Sequence, residues 1–265
     1  MIKEQIQNYF QNQKAQFKMN FKPAYTTINE DAIHDLRVSI KRLRLVYRLL
    51  NFFADKQFCA KKRAKLLIEV FKSAAALRDV QIGLAIIEKN NQDIQSDYDL
   101  MVKFLKDREL VEIYKFKEKY KEFELEEIDK LFVLSETLLN IIVDFPALQQ
   151  TFDNYKELSL QEIIDLLKKD KVDFHCVRKK LKNLTYLTEI EQIHLSEATE
   201  KLFLLKFMGK LLGDWHDLDV FFNELDLMRN EKKISEINHR KMIKNLKEQQ
   251  SHIVEEFHQK FEELK

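Results

Sequence analysis

Two stretches of this chain place a histidine, an arginine and a lysine at the same spacing. These residues are His34, Arg37 and Lys41 in HDLRVSIKRL, and His175, Arg178 and Lys182 in HCVRKKLKNL. Positions i, i+3 and i+7 lie on one face of a helix. Guanidinium and ammonium groups in such a row suit phosphate oxygens, arginine through paired hydrogen bonds and lysine as a point charge. The repeated pattern favours an anion site, and a solvated charged face is the alternative for either helix alone.

The first row of cations is the longer one, and it lies in a strongly basic segment. It continues through Arg44 and Arg48, with Arg42 beside it. Between His34 and Lys65 ten lysines and arginines stand against two acids, although the formal charge of the whole chain is only +1. Like charges one turn apart destabilise a helix unless an anion compensates them. Segregated charge of this kind predicts a localised anion site.

The composition around these rows indicates an all-α protein. Among 265 residues there are only 3 Gly and 2 Pro, whereas 45% are hydrophobic. Sandwiches, propellers and Gly-looped nucleotide folds need more turn residues than this. Apolar residues recur at i, i+3, i+4 and i+7. They predict helices near 2–18, 29–53, 57–76, 78–92, 95–129, 131–144, 159–170, 173–192, 195–212, 214–230 and 233–263.

In both basic helices an apolar row lies beside the cations and is expected to face the core. The apolar residues are Leu36, Ile40, Leu43 and Tyr47 in the first helix, and Val177, Leu181 and Leu184 in the second. Breaks between helices are expected at Lys22-Pro23, Asn90-Asn91, Phe145-Pro146 and Lys171.

An internal repeat connects the two halves of the chain. The basic rows are 141 residues apart, and ALRDVQI aligns with DWHDLDV at a shift of 138. The second alignment pairs Arg78 with His216 and Asp79 with Asp217. Two blocks in the same order at nearly one spacing predict duplicated helical bundles, divided as 1–145 and 146–265.

Other polar residues have two readings each. Lys65 and Lys72 form a further basic row, and Lys206 and Lys210 lie one turn apart; they are anion-binding or ordinary solvated lysines. Asp79 and Asp217 either orient the cations or cap helix N-termini, a role that suits aspartate. The remaining histidines have no partners at useful spacing and are expected at the surface: His194, His239, His252 and His258.

Four motifs of this chain resemble the CHAD family, the conserved-histidine α-helical domain. They are HDLRVSIKRLRLVYRLL, ALRDVQIGLAII, HCVRKKLKNLTYLTE and LLGDWHDLDVFF, and the resemblance spans about residues 28–262. It implies two pseudosymmetric antiparallel four-helix bundles around a basic central channel. It also implies non-catalytic binding of inorganic polyphosphate, at polyphosphate granules in the cytoplasm.

The resemblance transfers a set of channel residues by position. We expect phosphate contacts from His34, Arg37, Lys41, Arg42, Arg44, Arg48, Lys65, Lys72, Arg78, His175, Arg178, Lys179, Lys182, Tyr186, Lys206, Lys210 and His216, with Asp79 and Asp217 orienting them. The second half departs from the first. Asn183 and Thr185 stand where the first copy has Arg42 and Arg44, so either this half binds more weakly or Lys179, Lys180 and Lys206 compensate.

Two rival functions use the same residues. The pairs His34-Asp35 and His216-Asp217 are typical of metal-dependent HD phosphohydrolases, but arginine cannot ligate a metal and Arg78 is the repeat partner of His216. The basic faces could instead bind RNA, although aromatic residues for base stacking are not interleaved with them. We expect no metal, no cofactor and no membrane span. Two lone cysteines, Cys59 and Cys176, agree with a reducing cytoplasm.

Overall fold

A computed structural model of the chain describes residues 2–53, 64–91, 96–123, 125–142, 148–195 and 199–264. The described residues contain helices and no strand. The helices are α1 (Ile2–Thr26), α2 (Glu30–Phe53), α3 (Lys65–Ser73), α4 (Ala75–Lys89), α5 (Tyr98–Tyr120), α6 (Leu125–Ile142), α7 (Leu148–Leu167), α8 (Phe174–Glu191), α9 (Glu200–Asn230) and α10 (Glu236–Glu262). This confirms the all-α fold class. Four of the ten cations between His34 and Lys65 lie outside the described residues, namely Lys56, Lys61, Lys62 and Arg63, and so do Cys59 and Pro146.

The chain divides into two compact units. Unit 1 comprises Met1–Ala74 and Lys117–Leu205, and unit 2 comprises Ala75–Phe116 and Lys206–Lys265. Each unit is therefore built from two separate segments of the chain. The duplicated halves 1–145 and 146–265, which concern sequence repetition, stay a prediction.

The core of unit 1 is formed by the apolar rows that the sequence predicts. In this unit α1 packs on α2, and α7 packs on α8. Leu36, Ile40 and Leu43 of α2 are buried, and so are Val177 and Leu181 of α8. Burial of each such side chain stabilises the fold by about 1.5–3 kcal/mol. The inward face of both basic helices is therefore confirmed.

Helix α1 runs through the break that the sequence predicts at Pro23. Pro23 lies in the last turn of the helix, where few backbone bonds follow it. Two hydroxyls reinforce this last turn: that of Thr26 donates to Lys22 O at 3.0 Å, and that of Thr27 donates to Pro23 O at 2.8 Å. The predicted break is wrong because a proline this close to a helix end costs little backbone bonding.

Helix α9 is also longer than predicted, since the break expected near 213 does not occur. Gly213 lies inside the helix, and a Cβ at this position would meet no atom within 4 Å. Leu205, Met208, Leu212 and Phe221 are buried on either side of it. Buried side chains before and after Gly213 thus hold the helix in its unbroken form. Likewise, α5 ends earlier than predicted, and α7 begins at Leu148, whereas the sequence predicts the start of a helix near residue 159.

The core of unit 2 depends on a close approach at Gly83. A Cβ at this position would lie 3.2 Å from Leu105 Cδ1 and 3.3 Å from Phe221 Cδ2, closer than side chains normally pack. Val80, Leu105 and Phe221 belong to the same buried apolar cluster. Glycine therefore lets α4 pack tightly on its neighbours in this unit.

A capping arrangement fixes the start of α10 in unit 2. The hydroxyl of Ser235 accepts from Asn238 N at 3.3 Å, and Ser235 N and Oγ each donate to Asp97 Oδ2 at 2.8 Å. Burial acts to raise the pKa of Asp97, but the hydrogen bonds from Ser235 and Asn238 outweigh it and lower the pKa. The ionised carboxylate therefore stabilises this junction. In the described part of the chain, no helix is both long and apolar enough to span a membrane.

Candidate anion-binding site

The basic row of α2 lies where the sequence places it, beside the buried apolar row. His34 and Arg48 are exposed, and Arg37, Lys41 and Arg44 are half-buried. The row runs from His34 to Arg48, which is nearly four helical turns at about 3.6 residues per turn. Its charged groups are thus available along most of the helix.

Three cations of this row gather over one aromatic ring. The ring belongs to Phe71 of α3, and its centroid lies 4.1 Å from Arg37 Cζ, 5.5 Å from Lys41 Nζ and 5.9 Å from Arg44 Cζ. Arg37 Nη1 also donates to Phe71 O at 2.7 Å. The negative face of an aromatic ring attracts cations within about 6 Å. Phe71 therefore holds together charges that would otherwise repel, and sequence analysis missed it.

Neighbouring arginines of α2 differ sharply in their surroundings. Desolvation lowers the pKa of Arg44, and it also lowers that of Arg48, although part of the Arg48 side chain faces solvent. No carboxylate in the described ranges forms an ion pair with either residue. At Arg42 desolvation acts in the same direction, but the carboxylate of Glu189 outweighs it and raises the pKa. Arg44 and Arg48 are thus cations that no carboxylate in the described part of the chain neutralises.

Direct contacts join α2 to α8 within unit 1. Arg42 Nη2 donates to Glu189 Oε1 at 2.9 Å, and Arg48 Nη2 donates to Asn183 Oδ1 at 2.8 Å. Tyr9 OH donates to the other oxygen of Glu189 at 3.1 Å. Arg42 therefore acts in packing the two helices together, and it has less capacity left for a ligand than its neighbours. The two basic helices lie side by side in one unit.

Arginines of both basic helices lie near the phenol of Tyr186 on α8. Its side chain is buried, and the Arg42 guanidinium lies 5.4 Å from the ring centroid. Burial raises the pKa of Tyr186, whereas the charges of Arg42, Arg178 and Arg48 act to lower it. Arg178 from the second basic row and Arg48 from the first thus influence the same phenol. Tyr186 itself is buried inside the unit, and its expected contact with phosphate stays a prediction.

The other predicted residues of unit 1 are on or near the surface. His175, Arg178 and Lys182 are half-buried on α8, and Lys72 and Lys179 are exposed.

Two further lysines of unit 1 have carboxylate partners. Lys65 lies 3.8 Å from Glu69, and Lys180 lies 2.5 Å from Glu162. These two are therefore less available to a ligand than the cations of the α2 row.

Unit 2 contains the rest of the predicted site. Arg78 and Asp79 lie in α4, and Lys206, Lys210, His216 and Asp217 lie in α9. Both aspartates are inside their helices, so the helix-cap reading is wrong for both. Burial raises the pKa of Glu224, and the charge of Arg108 opposes this increase. The negative charge of the half-buried Asp79 adds to it, so Asp79 lies near this ion pair of unit 2. Its orienting role stays a prediction.

The described residues contain no group of three or more His, Cys, Asp or Glu side chains arranged to hold a metal ion. His34 and Asp35, the first of the two His-Asp pairs, are both exposed on α2.

Residues 8–226 match the family model of the CHAD domain. The chain belongs to the CHAD domain family. The structure is similar to the crystal structure of the CHAD domain from the plant Ricinus communis, with a TM-score of 0.69 and 12% identity, over 96% of this chain and 86% of that one. It is also similar to PptA from Streptomyces chartreusis, with a TM-score of 0.62 and 14% identity, over 99% of this chain and 98% of that one.

No curated protein sequence matches the chain. Identities this low show a shared fold. CHAD domains are generally non-catalytic binding domains associated with polyphosphate, and membership of the family supports a polyphosphate-related role for this chain.

Proposed function

We propose that this CHAD domain binds inorganic polyphosphate through a basic face of unit 1 and does not turn it over. The basic face consists of His34, Arg37, Lys41, Arg44 and Arg48 of α2, Lys72 of α3, and His175, Arg178 and Lys182 of α8. The observation that carries the proposal is the gathering of Arg37, Lys41 and Arg44 at the Phe71 ring. Cations this close together repel one another, and an anion with equally closely spaced charges would compensate them.

Polyphosphate supplies the negative charges that would complement the cations of this surface. It is a flexible chain with a negative charge on every phosphate group, so it can follow cations that recur once per helical turn. Arg44 and Arg48 are partly desolvated and without a carboxylate partner among the described residues, so a bound phosphate would compensate them. Hydrogen bonds between charged groups contribute about 1.5–3 kcal/mol each.

The aromatic residues near the basic face argue against single-stranded RNA as the ligand. Binding of single strands relies on exposed rings on which bases stack. Tyr47 and Tyr186 are buried, and the half-buried Phe71 ring is covered by Arg37. These three rings therefore offer no stacking platform, and the exposed ring of Phe52 lies one turn beyond the last cation of the α2 row. This arrangement favours a phosphate chain that has no bases.

Binding of end-labelled long-chain polyphosphate to the full chain, followed by fluorescence anisotropy, tests the proposal. Arg44→Gln with Arg48→Gln removes two cations that lack carboxylate partners and should weaken binding by about 3 kcal/mol, roughly 100-fold. The matched control is Lys168→Gln with Lys169→Gln, an equal loss of charge at two exposed lysines after α7. Equal weakening by both pairs would show that binding follows net charge and does not use this face.

Competition with single-stranded RNA separates the two ligand classes. Polyphosphate should displace labelled RNA at much lower phosphate concentration than the reverse. RNA that competes at equal phosphate concentration would instead favour a general nucleic-acid binder.

A further inference from the structure

A second basic groove lies in unit 2, along the N-terminal half of α10. It has a volume of about 750 Å³ and is bordered by Arg229 of α9 and by Arg240, Lys244 and Lys247 of α10. Only two carboxylates, those of Glu236 and Glu248, are among its lining residues. The groove is within the usual size range of small-ligand sites, about 300–1,000 Å³. Its lining thus combines room for a small ligand with an excess of positive charge.

A buried histidine lies in the wall of this groove. His239 lines it, yet only 7% of the His239 side chain is exposed, so the sequence-based expectation of a surface residue is wrong. The residue occupies the inward row of α10 together with Met242 and Leu246. Its Nε2 is buried and makes no hydrogen bond, although Asp226 Oδ1 lies 3.3 Å away and forms an ion pair with it when the imidazole is protonated. A buried polar atom without a hydrogen bond is costly unless a ligand satisfies it.

The carboxylates around the groove hold its cations only loosely. Arg240 Nε lies 3.9 Å from Glu236 Oε2, and Lys244 Nζ lies 3.9 Å from Glu248 Oε1, all on well-exposed side chains. Exposed ion pairs at such distances contribute little. Lys247 has no carboxylate in ion-pair range within the described residues. An anion with several charges could therefore replace these contacts.

We infer that this groove is a second anion site, specific to a small ligand with two or three linked phosphates. Arg240, Lys244 and Lys247 would hold the phosphate oxygens, and His239 Nε2 would donate to the innermost one. Asp226, which would repel an anion, lies 3.5 Å from Arg229 and is partly compensated by it. The site involves other residues than the basic face of unit 1, and it does not depend on the function proposed for that face.

The NMR signal of the His239 side chain, measured in the full chain, monitors ligand binding at this groove. In protein with labelled histidines, the signal that disappears in His239→Gln identifies His239. Addition of tripolyphosphate should shift that signal to saturation. Arg240→Gln with Lys244→Gln should weaken the affinity about 100-fold, since each of the two lost charged contacts is worth about a factor of ten. The matched control, Lys241→Gln with Lys260→Gln on the same helix, should leave it unchanged.

Two further arms complete the test. A nucleoside triphosphate that shifts the His239 signal as strongly as tripolyphosphate would show that the phosphates alone are recognised, and a stronger effect would show that the site takes nucleotides. The Arg44→Gln with Arg48→Gln protein should respond like the wild type, whatever happens to polyphosphate binding at unit 1. An unmoved His239 signal at millimolar tripolyphosphate, or equal weakening by the control pair, would overturn the inference.

Discussion

Replacement of Phe71 by leucine should weaken polyphosphate binding while the protein remains folded. Leucine keeps an apolar side chain at this half-buried position of α3 but removes the ring. Arg37 retains its bond to the backbone oxygen of residue 71, which does not depend on the side chain. Lys41 and Arg44, at 5.5 and 5.9 Å from the ring centroid, lose their cation–π contact with residue 71.

The expected loss of affinity follows from the conformational entropy of the two side chains. A long side chain that must be immobilised on binding costs about 0.5–1.5 kcal/mol. Two newly mobile cations therefore cost about 1–3 kcal/mol, which corresponds to a loss of roughly 5- to 150-fold in affinity. Phe71→Tyr keeps the ring and should bind within a factor of about two of the wild type.

Titration calorimetry with polyphosphate of defined length measures this, and circular dichroism checks the fold of each variant. Phe71→Leu protein that is folded and binds like the wild type would refute the role of the ring. An equal loss in Phe71→Tyr would mean that the position matters only for packing.

Four other outcomes are expected. Arg42→Gln should lower the free energy of unfolding by about 1–3 kcal/mol in denaturant titrations, because it strands the carboxylate partner of this residue, whereas Arg44→Gln should leave stability equal or higher. Binding should weaken by orders of magnitude between about 50 and 200 mM salt, as for DNA ligands, and a flat profile would contradict electrostatic binding. Binding should strengthen as the pH is lowered, and less so in His34→Gln with His175→Gln, because a nearby anion favours the protonated form of an imidazole. Asp97→Ala should lower the melting temperature at pH 7 but not at about pH 2, since a lowered pKa contributes stability that is lost on acidification below about pH 4.

Burial in the basic helices could be predicted from the sequence because it depends on local periodicity. Leu36 and Val177 recur in apolar rows at helical spacing, and a helix with one such row must turn it to the core. The positions of the cations beside these rows follow from the same geometry.

The partners of the cations could not be predicted, since they come from distant parts of the chain. Arg42 and Arg44 look alike in the sequence, and only the fold brings Glu189, 147 residues from Arg42, to one of them. Phe71 is an ordinary apolar residue of α3 until that helix is placed beside α2. The number of cations on a helix can thus be read from its sequence, whereas their availability depends on tertiary contacts.

Lysine footprinting tests the central claim most directly, because it locates bound polyphosphate on the unaltered chain. Lysines are acetylated under limiting reagent with and without long-chain polyphosphate, and their reactivities are compared by mass spectrometry. The proposed site predicts strong protection of Lys41, Lys72 and Lys182, with Lys168 and Lys169 unchanged. Uniform protection of all exposed lysines, or protection that spares Lys41 and Lys182, would contradict binding at the basic face.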